Sequence, residues 1–165
     1  MQVIETEVSD IYLNPGESYL ARKPAIIRTI LGSCVGVTFW SARLGVGALT
    51  HSQLPRCPVN SPTTVDRATG LRYVDFAIRE VARQFDELGA RRAELEVKLF
   101  GGADVLMVSE GALSKPTVGR LNCEAAIEVV EAERLNVVAS SLGGAVGLNL
   151  RFDTRTGEVR LRRLS

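Results

Sequence analysis

One histidine, His51, serves the whole 165-residue chain, and its three cysteines, Cys34, Cys57 and Cys123, form no C-x-x-C pair. A lone histidine with scattered thiols cannot build a usual zinc site, so no metal is expected. An odd number of unclustered cysteines argues against a disulfide framework and for a reducing compartment, hence a cytoplasmic protein. No stretch approaches the ~20 apolar residues that a bilayer span requires, and no basic-then-apolar leader opens the chain. Charge of one sign is also missing. Twenty Lys and Arg stand against 19 Asp and Glu, for a formal net charge of +1, which marks neither a nucleic-acid-binding nor a membrane-surface protein. No Walker loop or dinucleotide fingerprint occurs. The glycine-rich Leu142-Gly143-Gly144-Ala145-Val146-Gly147 has the wrong spacing and no helix after it, so no organic cofactor is expected.

What is present suffices for a core. The apolar fraction is 45%, and the length suits one domain spanning 1–165. Short apolar or β-branched runs read as strands: Val3 to Val8 at an edge, Ser18 to Ala21, Ile26 to Leu31, Val35 to Trp40, Gly45 to Thr50, Leu95 to Phe100, Val137 to Leu142, Leu148 to Asp153 and Glu158 to Leu164. Tyr73 to Leu88 is the best helix, with Val74, Ala77, Ile78, Val81, Phe85 and Leu88 in one stripe and Gly89 as its stop. Asn122 reads as the N-cap of a second helix, Cys123 to Leu135, with Cys123, Ala126, Ile127, Val130 and Leu135 inward. Ser52 to Gly70, with three prolines, is a long loop suited to a lid or positioning role, and Met107 to Lys115 is a second loop. Arg151, Arg155, Arg160, Arg162 and Arg163 read as guards of an exposed hairpin. No aromatics interleave with them as single-strand binding would require. Strands without strict βαβ alternation, plus two helices, predict an α+β fold with sheet on sheet and helices outside.

One stretch carries candidate chemistry. Gly32-Ser33-Cys34 precedes the strand at Val35, and His51 follows seventeen residues after the thiol. A hairpin turning at Ala42–Arg43 sets Cys34 opposite His51. Directly opposed residues share a face, with Cβ atoms about 4.5–5.5 Å apart. Val35, Val37, Phe39, Val46 and Ala48 then form a core face. Cys34, His51, Gly36 and Gly47 lie on the other, the glycines leaving floor space for a substrate. A thiolate is the nucleophile, and an imidazole beside it can take the proton and return it to a leaving group. The bland alternative is a small buried thiol and a strand-end histidine.

The segment Ile30-Leu31-Gly32-Ser33-Cys34-Val35-Gly36-Val37, followed by His51 and Leu54-Pro55, resembles the signature of CheD, the chemoreceptor glutamine deamidase family. Asn14-Pro15-Gly16-Glu17, Arg72-Tyr73-Val74-Asp75, Phe100-Gly101-Gly102-Ala103, Gly119-Arg120-Leu121-Asn122, Leu142-Gly143-Gly144 and Thr156-Gly157 extend the resemblance, in order, over nearly the whole chain. It implies a catalytic Cys34 and His51, with Thr29 as third member. Some members carry the threonine where this chain has Arg28. Many also read an Asp and an Arg where it has Ser141 and Leu148. The implied fold is an α/β/β three-layer sandwich similar to the catalytic domain of cytotoxic necrotizing factor toxins. The implied reaction converts glutamine to glutamate on methyl-accepting chemotaxis receptors, with a CheC-type phosphatase as a further partner. A Cys–His protease or acyltransferase and a non-catalytic adaptor are the alternatives.

Overall fold

The computed structural model of the chain describes residues 7–58, 65–104 and 115–165. Among them nine strands form two sheets. The first holds β1 (Ser9–Tyr12), β3 (Ala25–Leu31), β8 (Leu148–Asp153) and β9 (Val159–Arg163), in that order. The second holds β2 (Ser18–Ala21), β5 (Val46–Ser52), β4 (Val35–Ser41), β6 (Glu96–Gly101) and β7 (Asn136–Leu142). Only the β1–β3 and β6–β7 pairs are parallel. The helices are a single turn, α1 (Arg67–Gly70), and two longer ones, α2 (Val74–Glu87) and α3 (Val118–Ala132). The expected α+β class is thus observed. The predicted strand at Val3 to Val8 falls largely on residues outside the described set, as do 59–64 of the first loop and 107–114 of the second.

Two cores make the layers. Val35, Val37, Phe39, Val46 and Ala48 pack on Val74, Ile78, Val81 and Phe85 of α2 and on Ala126, Val129 and Val130 of α3. The Phe39 and Phe85 rings stack at 6.0 Å between centroids. The opposite face of the same sheet, with Leu49 and Phe100, packs on Ala25, Ile27, Leu31, Leu150 and Phe152 of the four-stranded sheet. Helices, five-stranded sheet and four-stranded sheet therefore stack in that order. Each large side chain so buried contributes about 1.5–3 kcal/mol. β4 and β5, covered on both faces, read as nearly continuous apolar runs. β3 alternates instead: Ala25, Ile27, Thr29 and Leu31 point inward, while Arg28 and Ile30 face solvent.

Three expectations need correction. The β4–β5 hairpin turns about Arg43–Leu44, not Ala42–Arg43, and its register sets Gly36 opposite His51 and Phe39 opposite Ala48. The reason is Gly45, whose φ of +64° belongs to the turn rather than the strand. Its N–H donates to Ser41 O at 2.9 Å. The shift is two residues, so every side chain keeps its expected face.

Gly36 and Gly47 do not floor a pocket. A Cβ on Gly36 would meet Leu31 Cδ1 at 3.0 Å, and one on Gly47 would meet Thr154 Cγ2 at 2.9 Å and the Phe152 ring at 3.0 Å. They are glycines because the second sheet fills that space.

Helix α3 starts five residues early. Thr117 is its N-cap, the hydroxyl accepting from Arg120 N–H at 3.2 Å, and Asn122 lies inside the helix. The buried stripe is correspondingly rotated to Asn122, Ala125, Ala126, Val129 and Val130, leaving Ile127 exposed.

Candidate active site

The site lies where β3 leaves one sheet and β4 enters the other. The crossing is the Gly32-Ser33-Cys34 turn, and all three of its carbonyls are held. Gly32 O accepts from Ala103 N–H at 3.0 Å, and Cys34 O accepts from Gly102 N–H at 2.8 Å. Ser33 O accepts from the Asn122 side-chain amide at 2.9 Å. The partner backbone must come close. Gly101, at φ +97°, would place a Cβ only 2.3 Å from Cys34 O, which only glycine avoids. Cys34 itself is half-buried and packs against the inter-sheet core.

His51 is near the end of β5, on the face turned toward the four-stranded sheet, and is 2% exposed. Its backbone is tied to the Asn14–Glu17 turn: its N–H donates to Glu17 O at 3.0 Å, and its carbonyl accepts from Gly16 N–H at 2.8 Å. Thr29 is fully buried and reaches the ring from β3, its Oγ1 standing 2.7 Å from His51 Nδ1 and 2.7 Å from Leu13 O.

These two distances set the tautomer. A hydroxyl has one hydrogen, and the Leu13 carbonyl can only accept. Thr29 must therefore donate to Leu13 O and accept from Nδ1–H. The ring proton is then on Nδ1, and Nε2 carries a lone pair. Nε2 is buried and has no hydrogen-bond partner among the described residues, so Cys34 is not bonded to it in this structure.

Electrostatics follow burial. Desolvation holds the His51 imidazole down at about 4, against the opposing pull of the Glu17 charge. Desolvation also pushes the Cys34 thiol up, partly offset by a backbone hydrogen bond. Charged forms are disfavoured in low dielectric, so both groups are neutral near pH 7. A neutral imidazole with a bare Nε2 can accept a thiol proton, and a half-buried thiol can then attack an acyl carbon.

Arg28 points away from this site. Its guanidinium pairs with Asp10 at 3.1 Å on the outer face of the sheet. Cys57 and Cys123 are elsewhere: Cys57 N–H bonds Asp75, and Cys123 Sγ lies 3.4 Å from Gly102 O. Ser141 is exposed on β7 and Leu148 is buried in the inter-sheet core. The place of two features in the site went unread in the sequence. One is the segment Leu13 to Glu17, which joins β3 to β5. The other is Asn122, whose amide spans from Ser33 O to Gln53 O at 3.1 Å.

A thiol, an oriented imidazole and an orienting hydroxyl on a sheet-on-sheet scaffold are the parts of cysteine-dependent acyl transfer. Comparison with known proteins supplies the family. The model for the CheD family, described as CheD chemotactic sensory transduction, matches residues 54–163. The chain is 41% identical over 155 residues to a probable chemoreceptor glutamine deamidase CheD 2 of Geobacter sulfurreducens, covering 94% of this chain and 90% of that one. It is 37% identical to a probable chemoreceptor glutamine deamidase CheD of Maridesulfovibrio salexigens, covering 97% and 95%. A third such protein, from Trichlorobacter lovleyi, is 36% identical over 92% of this chain and 89% of its own. The chain belongs to the CheD family. None of its helices among the described residues is long and apolar enough to cross a membrane.

Proposed function

We propose that this chain is a protein-glutamine deamidase acting on the cytoplasmic helical bundle of methyl-accepting chemotaxis receptors. The carrying observation is the Thr29–His51 contact, which leaves Nε2 as a base on the face that Cys34 shares. His51 Nε2 takes the Cys34 proton, and the thiolate attacks the carboxamide carbon. The tetrahedral oxyanion is held by backbone N–H at the nucleophile turn. The protonated imidazole gives its proton to the departing ammonia, leaving a thioester. The imidazole then takes a proton from water, whose attack releases glutamate and returns the thiol. Thr29 acts through His51, holding its tautomer throughout. Family membership supports the substrate class. The same reading covers a single domain over 1–165 working in the cytoplasm, a CheC-type phosphatase as a binding partner, and a likeness to the catalytic domain of cytotoxic necrotizing factor.

The test is incubation with receptor cytoplasmic fragments followed by peptide mass mapping. Deamidation adds about one dalton at a glutamine with no cleavage, which separates it from proteolysis by the same constellation. The Cys34→Ala variant must lose the change. Receptors left unmodified by the wild-type chain, or still modified by Cys34→Ala, would refute the proposal. Full rescue of chemotaxis by Cys34→Ala would favour an adaptor.

A further inference from the structure

Asn122 is fully buried in the first turns of α3. Its Nδ2 donates to Ser33 O at 2.9 Å and to Gln53 O at 3.1 Å. Both partners are carbonyls, so the nitrogen rather than the oxygen must face them. Its Oδ1 is buried and unpartnered among the described residues. A buried amide left with a bare acceptor costs stability, and a leucine-sized apolar residue would serve a purely packing position better. The helix is brought close enough for this contact by Gly119, where a Cβ would lie 2.4 Å from Ala103 O.

The contact has a directional consequence. In a trans peptide the C=O of Ser33 and the N–H of Cys34 point opposite ways. With the carbonyls of Gly32, Ser33 and Cys34 all drawn onto Ala103, Asn122 and Gly102, the N–H groups of Ser33 and Cys34 turn to the other side. Neither donates to another residue's backbone carbonyl among the described residues, and Cys34 N–H reaches only its own thiol. Successive free N–H groups are an anion-binding concavity. The second bond, to Gln53 O, ties the same amide to the strand end two residues beyond His51.

We infer that Asn122 is a positioning residue for the acyl-transfer step, holding the Ser33–Cys34 peptide so that Cys34 N–H meets the developing oxyanion. This rests on the proposed function in taking Cys34 as the nucleophile. The experiment compares two reactions of Cys34, each followed on the Cys34 peptide by mass spectrometry. Alkylation by iodoacetamide passes through no oxyanion and reports thiol, base and access. Acylation by p-nitrophenyl acetate passes through a tetrahedral oxyanion.

In Asn122→Ala and Asn122→Asp, acylation should fall about 10- to 100-fold while alkylation stays within about threefold. Asn122→Ser, which retains a shorter, uncharged donor, should fall between them and wild type, and it carries the test if the other two do not fold. Equal losses in both reactions would mean that Asn122 merely shapes the turn, and unchanged acylation would remove it altogether; either overturns the inference. Neither reaction needs a receptor. A wild-type chain acylated at Cys34 that leaves receptor glutamines intact would overturn the deamidase reading while the ratio still decides Asn122. A wild-type Cys34 that alkylates but never acylates would overturn both.

Discussion

Replacing Thr29 by valine removes one hydroxyl and keeps the branched shape. Thr29 is fully buried, so water cannot substitute. Two groups lose their partner: the Leu13 carbonyl and His51 Nδ1–H. Leaving a buried polar group unsatisfied costs about 1–3 kcal/mol. The fold should therefore lose about 2–4 kcal/mol, read as a lower urea midpoint at unchanged slope. The ring bears its own share. An unpaired Nδ1–H favours the other tautomer or a rotated ring by about 1–3 kcal/mol, and either one takes the lone pair from Nε2. At 1.4 kcal/mol per decade, turnover should fall about 5- to 150-fold. Thr29→Ser retains the hydroxyl and should keep most of both. The assay is glutamine deamidation by peptide mass spectrometry, with stability measured on the same preparations. Thr29→Val with turnover within threefold of wild type would refute the orienting role. Thr29→Ser as poor as Thr29→Val would show that shape, not the hydroxyl, is what matters.

Cys34→Ala should abolish deamidation with the fold intact, while Cys57→Ala and Cys123→Ala stay active; loss of activity on alkylation at Cys57 alone would contradict this. His51 imposes a pH dependence on stability. The unfolded chain takes up its proton below about 6.5 and the folded chain only near 4, so the stability present above pH 6.5 is lost as pH falls through that window, by about 3 kcal/mol. Urea unfolding of His51→Gln should lack that component, and a wild-type-minus-variant difference flat between pH 7 and 4.5 would contradict the burial argument. Gly47→Ala should cost about 1–3 kcal/mol through overlap with Thr154 and Phe152. A raised KM with unchanged stability would instead mean that Gly47 lines a substrate pocket.

The core strands were legible because their burial is one-sided or complete, whereas the mostly exposed β1 at Ser9–Tyr12 was not read. In β8, Leu148, Leu150 and Phe152 alternate with Asn149, Arg151 and Asp153, and the period alone sets the face. Helix α2 was legible for the same reason. What failed was local punctuation. Gly45 has neighbours that suit a strand, and only its positive φ assigns it to the turn. Asn122 looks like a cap because asparagine caps well, yet Pro116-Thr117 lay upstream as an equally good signal. The order of strands in each sheet depends on distant pairings, such as Ile26 with Asp153 in one and Val35 with Gly101 in the other, and no local pattern encodes it. Without any family resemblance only Cys34 and His51 were read as candidates; Thr29 came from the resemblance, although it is a hydroxyl in the inward stripe of Ala25, Ile27 and Leu31. Asn122 sits likewise among alanines and valines on α3. A polar residue on an apolar stripe needs a partner, and here the partners are His51 and the Gly32–Cys34 turn.

Burial gives this site its chemical character. Two sheets closing on Thr29 and His51 withhold water, so an isolated imidazolium or an isolated thiolate is disfavoured. Moving a proton from Cys34 Sγ to Nε2 creates both charges together, and in low dielectric the attraction between adjacent opposite charges offsets much of their separate desolvation. On the proposed mechanism the reactive form is a contact ion pair, and in this structure Nε2 and the thiol are not hydrogen-bonded. On the proposed reading, a glutamine side chain beside Cys34 supplies what is missing: its carbonyl oxygen takes the N–H groups of Ser33 and Cys34, and its bulk excludes the remaining water. A thiol that is protonated until then is also a poor target for oxidants, which attack the thiolate. The arrangement ties reactivity to occupancy by substrate, and it does so with the fold's own inter-sheet packing, the Leu13–Thr29–His51 chain on one side and the grip of Asn122, Gly102 and Ala103 on the other.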